Sequence, residues 1–71
     1  VEGILVIGGK HSANTSRLFH LAEEKVQHAA LIEKADEIPD IFFTLTRVGI
    51  TAGASTPDEI IDEVEARLLS N

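Results

Sequence analysis

Two short apolar runs and a third, mixed segment stand out along the chain, and each has the length of a buried strand. The first, residues 3–8, is a continuous apolar stretch with a glycine at each end. The second covers residues 29–32, and the third, Val-Gly-Ile-Thr, covers residues 48–51. Unbroken apolar runs of this length are typical of strands covered on both faces, as in a parallel sheet. The pattern therefore predicts three strands.

Two other segments show the three- and four-residue spacing of amphipathic helices. The apolar positions of the first segment are Leu18, Leu21, Ala22 and Val26. Those of the second segment, at the end of the chain, are Ile60, Ile61, Val64 and Leu68. Thr56, Pro57 and Glu59 predict the start of the second helix, with Thr56 as the cap of a Thr-x-x-Glu capping box.

The segment between the second and third strands, residues 34–47, is rich in large apolar side chains but interrupted by Pro39. These side chains are Ile38, Ile41, Phe42, Phe43 and Leu45. We expect a partly helical segment that covers the sheet. Alternating strands and helices predict an α/β fold with right-handed crossovers. The expected architecture is a small three-stranded parallel sheet of order 2-1-3 with helices on both faces.

Two loops follow the strands that this order makes neighbours. They read Gly-Gly-Lys-His-Ser-Ala-Asn-Thr (residues 8–15) and Thr-Ala-Gly-Ala-Ser-Thr (residues 51–56), and neither contains an acid. Each leads to a helix N-terminus, where free N–H groups favour an anion, and both lie at the topological switch point of the sheet. The loops therefore predict a small phosphate-bearing ligand. Neither matches the nucleoside triphosphate or dinucleotide motif.

Charge and composition narrow the class of protein. The chain has 71 residues, with 12 acids, 6 bases and a net charge of −6, which argues against a nucleic-acid partner. Lys10, His11 and Arg17 nevertheless predict a locally positive rim at the first loop.

No apolar run approaches the roughly 20 residues of a membrane span, and no signal peptide is visible. Because the sequence starts at Val1 in a strand, we expect a segment of a longer protein.

The two loops carry a specific resemblance. The first strand followed by Gly-Gly-Lys-His-Ser-Ala-Asn-Thr-Ser-Arg-Leu, together with residues 48–57, closely resembles the C-terminal lobe of the LytB-type 4-hydroxy-3-methylbut-2-enyl diphosphate reductases. These are iron–sulfur enzymes of the methylerythritol phosphate route to isoprenoids. The resemblance covers essentially all 71 residues. It implies that residues 1–71 form one α/β lobe of a three-lobed cytoplasmic oxidoreductase.

The resemblance also implies roles for particular residues. Ser12, Asn14 and Ser55 would hold the substrate diphosphate. Ala13 stands where the family often has a second serine, which leaves its backbone N–H as a possible contact. Lys10 and His11 are further possible contacts.

The family's 4Fe-4S cluster is held by cysteines, and this chain has none. The resemblance therefore implies that the cluster ligands, the proton donor and the family's histidines belong to the remaining lobes, which are the expected partners. We expect this chain to bind no cofactor and to be inactive alone.

Other interpretations stay open at this point. Ser12 and Asn14 also fit helix caps, and Lys10 and His11 fit solvated loop residues. Ser55 precedes the capping box and is not needed for it. The alternative function is a free-standing flavodoxin-like module that binds phosphate or a flavin phosphate, although the chain has no Trp or Tyr to stack on a flavin. A phospho-acceptor receiver domain would need acids at the strand ends, where this chain has none.

Overall fold

A computed structural model of the chain describes residues 1–53 and 56–70, with the backbone alone for residue 70. Within these residues the chain forms three strands, two α-helices and two short 3-10 helices. The strands are β1 (Gly3–Ile7), β2 (His28–Ile32) and β3 (Val48–Ala52), and the α-helices are α1 (Ala13–Lys25) and α2 (Asp58–Ser70). Each strand differs from its predicted bounds by one residue at one end.

The strands form one parallel sheet in which β1 lies between β2 and β3. Ile7, at the carboxyl end of β1, is opposite Ile32 of β2 and Ala52 of β3. Leu5, Val6 and Ile7 are each 0% exposed, because β1 has a strand on either side and a covered face above and below. The predicted α/β class and strand order 2-1-3 are confirmed.

Helices cover both faces of the sheet, as predicted. On one face, Leu5 packs in a buried cluster with Val64 of α2 and with side chains of the 3-10 helices Ala35–Glu37 and Asp40–Phe43. On the other face, α1 packs on β1 and β2, and its Ala22 is buried. The two α-helices therefore begin on opposite sides of the sheet.

The segment between β2 and β3 is helical only in the two 3-10 turns, with Pro39 between them. Ile38 and Phe42 are buried in the core, as expected. Ile41 was predicted to cover the sheet with them but is 45% exposed. Neighbouring residues of a tight turn point in different directions, so the burial of Phe42 directs Ile41 outward.

Leu21 of α1 is a second departure from the predicted core. Its spacing placed it on the apolar stripe, yet it is 47% exposed. Because α1 lies over β1 and β2, it leaves the adjacent face of β3 open within the described residues. Leu21 borders the shallow groove that results, together with Ile4 and Gly49. Periodicity identifies the apolar side of a helix but not how much of the sheet the helix covers.

Candidate functional site

The candidate site, the crevice, lies at the switch point after β1 and β3, where the structure describes residues 8–12 of the first loop and residues 53, 56 and 57 of the second. The N–H of Gly8 donates to the carbonyl of Ile32 at 3.0 Å, and the N–H of Gly53 donates to the carbonyl of Ile7 at 3.1 Å. These bonds extend the sheet one residue beyond β1 and β3, so both loops leave the sheet side by side. They then diverge to α1 and α2 on opposite faces, which is the geometry of a topological switch point.

Ser12 is the N-cap of α1. Its Oγ accepts a hydrogen bond from the backbone N–H of Thr15 at 3.3 Å, and its carbonyl accepts one from the N–H of Ser16 at 3.0 Å. A hydroxyl that accepts in a cap still has its own proton to donate. No acceptor within the described residues takes that proton. The capping role predicted for Ser12 is therefore present, and it leaves a donor for a ligand.

Asn14 does not cap the helix. It is the second residue of α1 and is exposed, as is Ala13 before it. The N–H groups of a first helical turn have no partner inside the helix, so the backbone of both residues can donate to an anion. The helix therefore begins with one capping side chain, Ser12, and one free amide side chain, Asn14.

Lys10 and His11 are exposed at the edge of the crevice. The Lys10 ammonium lies 3.6 Å from the carboxylate of Glu37, and the backbone N–H of Lys10 donates to the carboxylate of Glu33 at 3.3 Å. The first loop is thus connected to the region after β2. Because Lys10 is paired within the chain, the rim is less positive than the acid-free loop sequence predicts.

The second loop is attached to the end of β1. Ser55, the predicted ligand of this loop, lies outside the described residues. Thr56 follows it, and its hydroxyl donates to the carbonyl of Ile7 at 3.0 Å. The helix α2 begins at Asp58, and the N–H of Ile60 bonds to the carbonyl of Pro57 at 3.2 Å. The predicted Thr56 cap is not found: the helix starts one residue later than predicted, and no backbone N–H of the described residues donates to the Thr56 hydroxyl.

Thr15 is a residue of this site that the sequence interpretation missed. Its side chain is 2% exposed and lies between the two strand ends. A Cβ built on Gly8 would lie 2.6 Å from the Thr15 hydroxyl oxygen, and one built on Gly53 would lie 2.9 Å from it. Real Cβ atoms do not approach this closely, so both glycines are required by the same side chain. The signal in the sequence was a glycine directly after each of β1 and β3, following the paired residues Ile7 and Ala52.

Two other kinds of site have no counterpart in the described residues, 1–53 and 56–70. No helix there is long and apolar enough to cross a membrane. No group of three or more His, Asp or Glu side chains there is arranged to hold a metal ion.

Comparison with known proteins gives the chain clear relatives. The 4-hydroxy-3-methylbut-2-enyl diphosphate reductase of Treponema denticola is 59% identical over 69 residues, which is 97% of this chain and 24% of that protein. The protein of the same name from Aquifex aeolicus is 46% identical over 69 residues, again 24% of its length. This chain thus spans about a quarter of the length of these relatives.

A solved structure and a family model lead to the same group. The structure of (E)-4-hydroxy-3-methyl-but-2-enyl diphosphate reductase, described as the terminal enzyme of the non-mevalonate pathway, superposes on this chain with a TM-score of 0.92. The sequence identity is 43%, and the match covers 100% of this chain and 26% of the other. The model of the family described as LytB protein matches residues 1–69. Sequence and fold agree over nearly the whole chain, which therefore belongs to the LytB family.

Proposed function

We propose that this chain is the diphosphate-binding, C-terminal lobe of a 4-hydroxy-3-methylbut-2-enyl diphosphate reductase of isoprenoid biosynthesis. Family membership supports the assignment to the reductase, and the crevice supports the binding of a diphosphate group. The observation that carries the proposal is the meeting of two acid-free loops at one switch point, with the proton of Ser12 left free. Membership of the LytB family favours this function over a free-standing flavodoxin-like module.

The donors of the crevice suit a diphosphate group. Ser12 and Asn14 present a hydroxyl and an amide at the N-terminus of α1, and Ser55 belongs to the facing loop. The backbone N–H of Ala13 adds a donor that needs no side chain. Hydrogen bonds to an anion are stronger than those between neutral groups, and a helix N-terminus adds its dipole. Lys10 and His11 stay possible secondary contacts at the rim.

The chemistry of the reductase would come from the remaining lobes. A 4Fe-4S cluster is held by cysteine thiolates, and this chain has no cysteine, so its residues do not fit as cluster ligands. We assign no redox or proton-transfer step to them. The proposed task of the chain is to bind and orient the diphosphate end of the substrate, and alone it would be inactive. A cytoplasmic location stays a prediction.

The crevice is tested by titrating the 71-residue chain with inorganic diphosphate, after circular dichroism has verified that the chain is folded. The amide signals of residues 9–15 and 53–56 should move together, because one ligand would contact both loops. Weak binding is expected, since the partner lobes are absent. Shifts in one loop only, or shifts confined to the acidic helix α2, would contradict a shared crevice.

Serine variants separate binding from capping. Ser55→Ala should weaken diphosphate binding about 10- to 100-fold at unchanged melting temperature, because a hydrogen bond to a charged group contributes about 1.5–3 kcal/mol. Ser12→Ala should also lower stability by about 1 kcal/mol through the lost cap. Ser16→Ala is the matched control on α1 and should leave binding intact. Normal binding by Ser55→Ala together with early melting would assign Ser55 a structural role.

A further inference from the structure

The Thr15 hydroxyl is nearly buried and has no partner within the described residues. The backbone N–H of Thr15 is used by Ser12, but no hydrogen bond to its side-chain oxygen occurs among residues 1–53 and 56–70. Every completely enclosed side-chain oxygen or nitrogen of these residues has a hydrogen-bond partner. The 2% of Thr15 that remains exposed therefore includes the hydroxyl oxygen.

The position of this hydroxyl shows where its open side lies. Its oxygen is directly beside the backbone of Gly8 and Gly53, the residues that follow β1 and β3. The Thr15 methyl group fills the rest of the space over Gly8, where a Cβ would come within 2.9 Å of it. The exposed part of the hydroxyl therefore lies at the switch point, between the ends of β1 and β3.

An unpartnered hydroxyl at such a buried position lowers stability, because it has lost most of its access to water without gaining a partner among the described residues. Valine has the same shape and the same helix propensity, and it would fill the site without that loss. A nearly buried polar group without a partner calls for an explanation, and a ligand that binds there is one such explanation. The acid-free loops on either side indicate that this partner is an anion.

We propose that the Thr15 hydroxyl is an additional ligand-binding group, which donates a hydrogen bond to a phosphate oxygen at the floor of the crevice. The inference rests on the proposed function, since it names a further donor of the same site. It differs from the roles of Ser12, Asn14 and Ser55 because the Thr15 side chain touches both strand ends at once. A phosphate oxygen on Thr15 is therefore centred between the loops.

Thr15→Val tests the proposal, because it removes the hydroxyl and keeps the shape. The ligand-free variant should melt at the same temperature as the parent chain or higher, since a buried orphan group is gone. Its affinity for inorganic diphosphate should fall about 10- to 100-fold, the effect of losing a hydrogen bond to a charged oxygen. Thr15→Ser keeps the hydroxyl and should retain most of the affinity.

Thr44→Val is the matched control. The Thr44 hydroxyl is exposed, precedes β3 whereas the crevice follows it, and donates to the carbonyl of Ile41 at 2.7 Å. This variant should lose a little stability and no affinity, the opposite of Thr15→Val. Unchanged diphosphate binding by Thr15→Val, whatever its melting temperature, would overturn the proposal for Thr15 alone. Failure of the parent chain to bind diphosphate would instead overturn the proposed function.

Discussion

The two loops of the crevice are similar in composition but are held in place in different ways. The first loop is stabilised by its own helix, through the bond from the Thr15 N–H to the Ser12 oxygen, and by the contacts of Lys10 with the acids after β2. The second loop is attached to the end of β1, where the carbonyl of Ile7 accepts from both Gly53 and the Thr56 hydroxyl.

This difference separates hydroxyls that hold the fold from hydroxyls that remain available. The Ser12 hydroxyl accepts a hydrogen bond in its cap and can still donate one, whereas the Thr56 hydroxyl donates its hydrogen bond to the carbonyl of Ile7. Thr15 joins the two loops, because its side chain contacts the backbone at both strand ends. Residue type alone does not distinguish these cases, since all three are small hydroxyl residues near a helix start.

The largest expected effect comes from pushing the loops away from Thr15. Gly8→Ala places a Cβ 2.6 Å from the Thr15 oxygen, and we expect a loss of about 1–3 kcal/mol in the free energy of unfolding, with weaker diphosphate binding. Gly9→Ala is the matched control, because nothing lies within 4 Å of its Cβ. None of the described glycines has a positive φ, so the difference between the variants is steric. Urea unfolding measures it.

A double variant makes the same test sharper. Gly8→Ala combined with Thr15→Ala removes the clashing atoms, so the pair should be less destabilised than the sum of the single changes. Strict additivity would mean that Thr15 does not set the position of the first loop.

The attachment of the second loop is tested by Thr56→Val. Loss of the hydrogen bond to Ile7 should lower the free energy of unfolding by about 1 kcal/mol, as for a typical intramolecular hydrogen bond. Thr46→Val is the control, since Thr46 is exposed and its hydroxyl bonds to no described residue. Equal unfolding curves for the two variants would show that Thr56 does not hold the loop to β1.

The smallest effect concerns the charge at the first loop. Glu37→Gln removes the charged partner of the Lys10 ammonium. The glutamine keeps a side-chain oxygen that can accept the hydrogen bond from the Glu33 N–H, which is 3.0 Å long in the parent chain. Diphosphate should then bind about twofold more tightly at low salt, and the gain should vanish at high salt, as expected for exposed charges. Glu63→Gln, on α2, changes the net charge equally and serves as control. An identical effect in both variants would remove Lys10 from the possible contacts.

Much of the site could be predicted from local sequence. Glycines around an apolar run placed β1, and the local pattern offered Ser12 and Asn14 as caps of the first helix, of which Ser12 is the cap. Both features depend on a few neighbouring residues. Thr15 was missed because its importance depends on Gly53, which is distant in sequence and meets it only across the sheet. The pairing of Lys10 with Glu37 was missed for the same reason.

The strands, their order and the two loops at the switch point follow from local patterns along the chain, because hydrophobic periodicity and turn residues act within short segments. Which side chains those segments leave exposed, and which donors they leave free, depends on how the elements pack. Leu21 is exposed because α1 stops short of β3, and Thr56 bonds to Ile7 because β1 ends beside it. Burial and hydrogen-bond partners arise from contacts between elements, and these exist only once the sheet has assembled.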